Sequence, residues 1–216
     1  MKNLMLLTGM LFSTVLAAAV PEFLVTGEKP IRLETMAEKE LCLFYQKIYG
    51  KELKKITEKE ADGKSVIFLR NTEFARKNGI DPDTAGKEEW ILKTVGDDLI
   101  ISGGRPAGTL YGVYELLEQQ GACWPAPGVK FESVPRRTMN RVADGLRKYE
   151  PVYPDREAFP NWKQGRAYPD SKEYSGSDDD YYIWMMRLRL RGRSVYPGSH
   201  AQYYMDFPRI WWKDHP

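Results

Sequence analysis

Apolar and polar positions along the chain fall into two rhythms. FLV at 23–25, SVIFLR at 65–70, EEWILKTV at 88–95 and DLIISG at 98–103 are short apolar runs bounded by glycine or polar residues, and they predict strands. IRLE at 31–34 predicts a further short strand, and KFESVPRR at 130–137 another. The last two long runs are separated by Gly96-Asp97, which predicts an antiparallel hairpin. The second rhythm is helical. Met36, Leu41, Phe44, Tyr45 and Ile48 predict a helix from Glu34 to Tyr49, closed by Gly50. Thr72 is placed to cap a short helix ending at Asn78, before Gly79. Ala107, Leu110, Tyr111, Val113, Tyr114 and Leu117 form the apolar stripe of a third helix. Strand and helix thus alternate over residues 20–140, the pattern of a small mixed-sheet α/β domain.

The approach to the third helix raises a chemical question. Strand, Gly103-Gly104 and helix follow one another as they do where a glycine turn cradles a phosphate. The spacing does not fit. A dinucleotide site needs G-x-G-x-x-G, and a P-loop needs Gly-Lys-Ser/Thr; neither is present. Packing is the better reading. Gly103 and Gly104 are free to take a positive φ. Pro106 suits a first helical turn. Gly108 and Gly112, four apart, let one face of the helix approach the sheet.

The N-terminus differs from all of this. One Lys is followed by an apolar run from Leu4 to Leu16 and then by Ala17-Ala18-Ala19. That is the layout of a secretory signal peptide over residues 1–19, and the run is short for a membrane span. The expected location is secreted or periplasmic, with no membrane association after cleavage. Charge is almost balanced, with 32 Lys and Arg against 30 Asp and Glu, so there is no electrostatic case for binding nucleic acid. Export permits a disulfide between Cys42 and Cys123. Two free thiols are the other reading, and spacing does not choose between them. The two histidines, His200 and His215, offer no recognisable zinc set with these cysteines, and no cofactor is implied.

Beyond residue 145 the composition shifts. Fifteen of the 27 aromatic residues fall in 149–216, among prolines and acidic stretches such as SGSDDDYY. MRLRLRGR at 186–193 alternates like a strand with arginines on one face. A stretch of this kind is too small for a core of its own, so the chain reads as a fragment that stops soon after a second domain begins.

A resemblance joins these features. Gly103-Gly104, Thr109-Leu110-Tyr111-Gly112, Leu116-Leu117-Glu118, Cys123-Trp124 and Pro127-Gly128 resemble the N-terminal α/β domain of large secreted bacterial glycosidase-like proteins. In those proteins the domain precedes a (β/α)8 barrel, a region labelled domain of unknown function 4838. A related domain precedes the barrel in family 67 α-glucuronidases and family 20 β-hexosaminidases. The helix ETMAEKELCLFYQKIYGKEL, Pro151 to Arg156, the RLRLRG stretch and Gly198-Ser199-His200 extend the likeness over nearly the whole mature chain. The resemblance implies a domain over 20–140 and the truncated start of a barrel over 145–216. It also implies hydrolysis of glycans by the whole protein, with the rest of its own barrel as the domain's partner.

Glycosidases use two carboxyl groups flanking the scissile bond. In the related hydrolases these lie on later barrel strands, so no catalytic residue is expected within this chain. Asp178-Asp179-Asp180 reads as a solvated loop. Asp155 and Glu157 flank Arg156, which falls at the end of the first barrel strand, where barrel active sites gather. Arg156 is therefore one candidate substrate-binding residue, through its forked donors to a sugar hydroxyl or uronate. A structural ion pair is its other reading. His200, after the turn in PGSHAQYY, is the second candidate, against a structural or simply exposed histidine. Trp162, Trp184, Trp211 and Trp212 are either sugar-stacking faces or core. Two rival functions stand beside the hydrolase: a non-catalytic module binding carbohydrate or a partner protein, and a packing domain with no ligand.

Overall fold

The computed structural model describes residues 20–136, 145–152 and 178–190. Six strands form one mixed sheet: β1 (Phe23–Thr26), β2 (Lys54–Lys55), β3 (Val66–Leu69), β4 (Trp90–Val95), β5 (Asp98–Gly103) and β6 (Gly145–Tyr149). Their order across the sheet is β2-β1-β3-β5-β4-β6. β2, β1, β3 and β5 run parallel, whereas β4 is antiparallel to both β5 and β6. The long helices α1 (Arg32–Tyr49) and α3 (Gly108–Gln119) pack on one face. The short α2 (Glu73–Lys77) helps to cover the other. The last helix described is α4 (Asp178–Arg187).

Side-chain alternation explains the two layers. Leu24, Ile67, Leu69, Leu99, Ile101, Trp90 and Leu92 point into the larger core under α1 and α3. Their neighbours Val25, Val66, Phe68, Ile100 and Ile91 point into the smaller core, with Ala75 of α2 and Ile80. A strand reverses side at every residue, so the continuous apolar runs are strands buried on both faces. Hairpin β4–β5 turns at Gly96, whose φ is 61°. Gly50 closes α1 in the left-handed conformation. Thr72 caps α2, its hydroxyl accepting from the Ala75 N–H.

Several expectations are corrected. IRLE is not a strand: Ile31 precedes α1, and the Glu34 carboxylate accepts its N–H at 2.9 Å. Local capping and the burial of one helix face win over the β-branched residue there. Residues 129–131 form a 3-10 turn, and only Ser133 makes a strand-like bridge, to Cys123. Pro106 lies before α3, after a cis Arg105–Pro106 bond, rather than in its first turn. Gly103 and Gly104 are not in the left-handed region. What they require is room, since a Cβ on either would run into the backbone of Glu89 or Gly86. MRLRLRGR is not a strand over 186–190: Met186 and Arg187 end α4, and a turn follows. Asp178-Asp179-Asp180 begins that helix instead of lying in a loop. The sheet also runs past residue 140, with β6 as its edge strand.

Candidate functional site

The two predicted substrate contacts, Arg156 and His200, lie outside the described residues, as do Asp155, Glu157, Trp162, Trp211, Trp212 and the leader 1–19. Trp184 is described. It is half-buried against the larger core and donates its indole N–H to the Trp124 carbonyl at 2.8 Å. Both cysteines are free thiols, Cys42 half-buried in α1 and Cys123 exposed. Burial, with Glu38 beside it, pushes the Cys42 thiol up.

The described residues enclose a different candidate. From β1 the chain crosses by α1 to β2, on one side; from β3 it leaves toward β4 and β5, on the other. The carboxyl ends of β1 and β3 therefore flank a switch point, the place where open α/β sheets leave a crevice. A cleft of about 970 Å³ opens there. Its walls include Thr26, Gly27, Glu28 and Lys29 after β1, then Asn71, Thr72, Glu73 and Arg76 after β3. Residues Lys55 to Glu60, with Asp83 and Arg105, complete it. Among the described residues, no aromatic ring lines it.

The backbone beside it is held under strain. Gly27 donates its N–H to the Leu69 carbonyl at 3.0 Å, and a Cβ there would press into the Asn71 backbone. Arg70, next in line, is almost fully buried and has a φ of 74°. A non-glycine residue in that region costs about 1–2 kcal/mol. Its side chain meets Glu38 at a long 3.3 Å, and Glu38 is shared with Lys55 at 2.7 Å. The Nε and Nη1 donors of Arg70 and the Oδ1 of Asn71 are buried and find no partner among the described residues. Burial lowers the Arg70 pKa, against the pull of Glu38. Arg105 holds Glu34 with Nε at 3.1 Å, and this bond raises its own pKa.

Two of the cleft's carboxylates are already engaged as acceptors. Glu58 accepts the N–H groups of Glu73 and Phe74 at 3.1 and 2.8 Å. Glu60 accepts from the Thr57 backbone, and that bond keeps its pKa low, whereas a general acid must hold its proton. The arrangement is suited to binding by hydrogen bonds.

A second cluster joins α4 to the α/β unit. Arg187 Nε meets Glu40 at 2.9 Å and Nη1 meets Glu132 at 2.7 Å, all three groups buried. Its guanidinium lies 5.0 Å from the Phe44 ring centre and 5.5 Å from that of Trp124. Burial opposes the charge, yet the bonds to Glu40 and Glu132 hold the Arg187 pKa above its ordinary value. Arg189 bonds Glu115 at 2.9 Å and Glu118 at 2.8 Å, beside the Trp90 ring. Arg187 and Arg189, read from sequence as part of one face of a strand, are thus anchors, to α1 and Glu132 and to α3. The helical spacing of Trp184 and Arg187, three apart, was the available signal.

No family model matches the sequence, and no curated protein matches it. Solved structures do. A family GH115 4-O-methyl-α-glucuronidase with specificity for decorated arabinogalactans matches at 17% identity and a TM-score of 0.60, over 79% of this chain and 24% of that one. The GH20 β-N-acetylhexosaminidase of Streptomyces coelicolor A3(2) matches at 21% identity and a TM-score of 0.40, over 62% and 23%. The N-acetyl-β-hexosaminidase of Streptomyces plicatus gives 18%, 0.40, 64% and 24%. The chain spans about a quarter of the length of each. The fold is that of a mixed α/β domain found in glycoside hydrolases.

Proposed function

We propose that this chain is the N-terminal portion of a secreted or periplasmic glycoside hydrolase-like protein acting on glycans, and that it is not catalytic by itself. Its α/β unit serves to carry the barrel that follows, whose first part contributes Arg156 and His200 to substrate binding. The observation that carries this reading is the anchoring of residues 184–189 on the α/β unit through ion pairs, among them the buried Arg187–Glu40 pair, 147 positions apart in sequence. A helix beyond the sheet is thus tied to the unit by charge pairs. The fold likeness to a GH115 enzyme supports the hydrolase class.

Release of nitrophenol from aryl glycosides tests it. The purified 216-residue chain should release none from aryl α-glucuronide or N-acetyl-β-hexosaminide, and the product of its whole reading frame should cleave at least one aryl glycoside. In the whole protein, Arg156→Ala and His200→Ala should raise KM more than they lower kcat. Turnover by the short chain would refute the non-catalytic reading, and an inert whole protein would refute the hydrolase. A carbohydrate-binding module is the second reading, and the cleft at β1 and β3 is what favours it.

A further inference from the structure

We propose that the cleft at the carboxyl ends of β1 and β3 is a glycan-binding site and that it takes a neutral polyhydroxyl segment. The choice of a glycan rests on the reading above; the site itself does not.

Three observations point to hydroxyl groups. First, the volume, about 970 Å³, is that of a small-molecule site and holds more than one sugar ring. Second, five cationic and five acidic side chains line it, so it offers no net field to capture an ion. Third, its lining carries donors, on the exposed Lys29, beside acceptors, on the exposed Glu28 and on Asn71, whose Oδ1 has no partner among the described residues. A carboxylate or phosphate only accepts, and an ammonium only donates. A hydroxyl does both, and a run of hydroxyls along a sugar chain matches a wall that alternates between them. The exposed Arg76 and Asp83 put one further donor and one further acceptor at the rim. With no aromatic ring among its described lining residues, the cleft binds by hydrogen bonds in competition with water, so affinity is expected in roughly the millimolar range.

The test is a titration of the ¹⁵N-labelled 216-residue chain with β-1,4-xylotetraose, β-1,3-galactotetraose and maltotetraose, and separately with glucuronic acid. At least one tetrasaccharide should shift the Gly27, Asn71 and Thr72 amides saturably. The double variant Arg76→Ala/Asp83→Ala should weaken that binding about tenfold, as expected for two hydrogen-bonding side chains, and leave the remaining spectrum intact. No shift with any tetrasaccharide would mean that the cleft holds water alone, and would overturn the proposal. Shifts with glucuronic acid only, or shifts unchanged in the double variant, would overturn it too. Because the chain is expected to be inactive, binding is read without turnover, and an inert whole protein would leave this result standing.

Discussion

Arg187 is a cation with almost no access to water, and its charge is answered by two carboxylates and two aromatic faces. Removing one partner of a buried pair costs about 3–5 kcal/mol, because the other charge is left without a counterion. Arg187→Ala should fall near the lower end of that range in urea denaturation, since Glu132 keeps Lys47 at 2.5 Å. Adding Glu40→Gln should recover part of the loss. Arg189→Ala should cost less than about 1 kcal/mol, because Glu115 and Glu118 remain partly in water. Equal losses for the two arginines would argue against this ranking. None of these pairings was legible in the sequence. Arginine recurrence in MRLRLRGR reads equally as a strand face, and only the distant carboxylates show what the charges are for.

Among elements, α3 and hairpin β4–β5 show how closely backbone is packed. Gly108 faces the Glu89 carbonyl with no space for a Cβ. Gly108→Ala should destabilise by about 1–3 kcal/mol, the usual cost of overpacking. Gly112 has Ile101 Cγ2 at 3.1 Å from a notional Cβ, a side-chain atom that can yield. Gly112→Ala should be near neutral, because helix propensity returns about 1 kcal/mol. Thermal unfolding of the two variants decides it, and matching losses would count against the packing account. Here the sequence was half legible. The glycine spacing showed a close helix, but a turn needing positive φ and a turn needing space look alike in letters.

The β3–β5 register carries a pH dependence. Asp98 opens β5, and its carboxylate accepts the Val66 N–H at the start of β3. Burial nevertheless raises its pKa, the Val66 bond opposing. The folded chain therefore holds this proton more tightly than the unfolded one, and stability falls as pH rises from the ordinary aspartate value through the raised one. Asp98→Asn should lack that fall. Its Tm relative to the parent should improve between about pH 3 and 7, and a difference flat with pH would dismiss the effect.

For the molecule as a whole, the anchoring of α4 predicts a pattern in hydrogen exchange. In Arg187→Ala, α4 amides should exchange much faster while α1 and α3 stay protected. Loss of protection everywhere would mean that α4 is part of the core rather than docked on it. The sequence by itself determined the α/β class, the strands buried on both faces, α1 with its Gly50 stop, the Thr72 cap and the Gly96 hairpin. These follow from alternation, helical spacing and the conformational freedom of single residues, all read within a few positions. Only the tertiary structure decided the strand order, and with it the switch point between β1 and β3. It alone placed β6 in the sheet, left Arg70 Nε and Nη1 without partners among the described residues and brought Arg187 to Glu40. Those outcomes depend on which distant segments share a low-dielectric interior, where a charge or a donor must find its partner wherever the chain has put it.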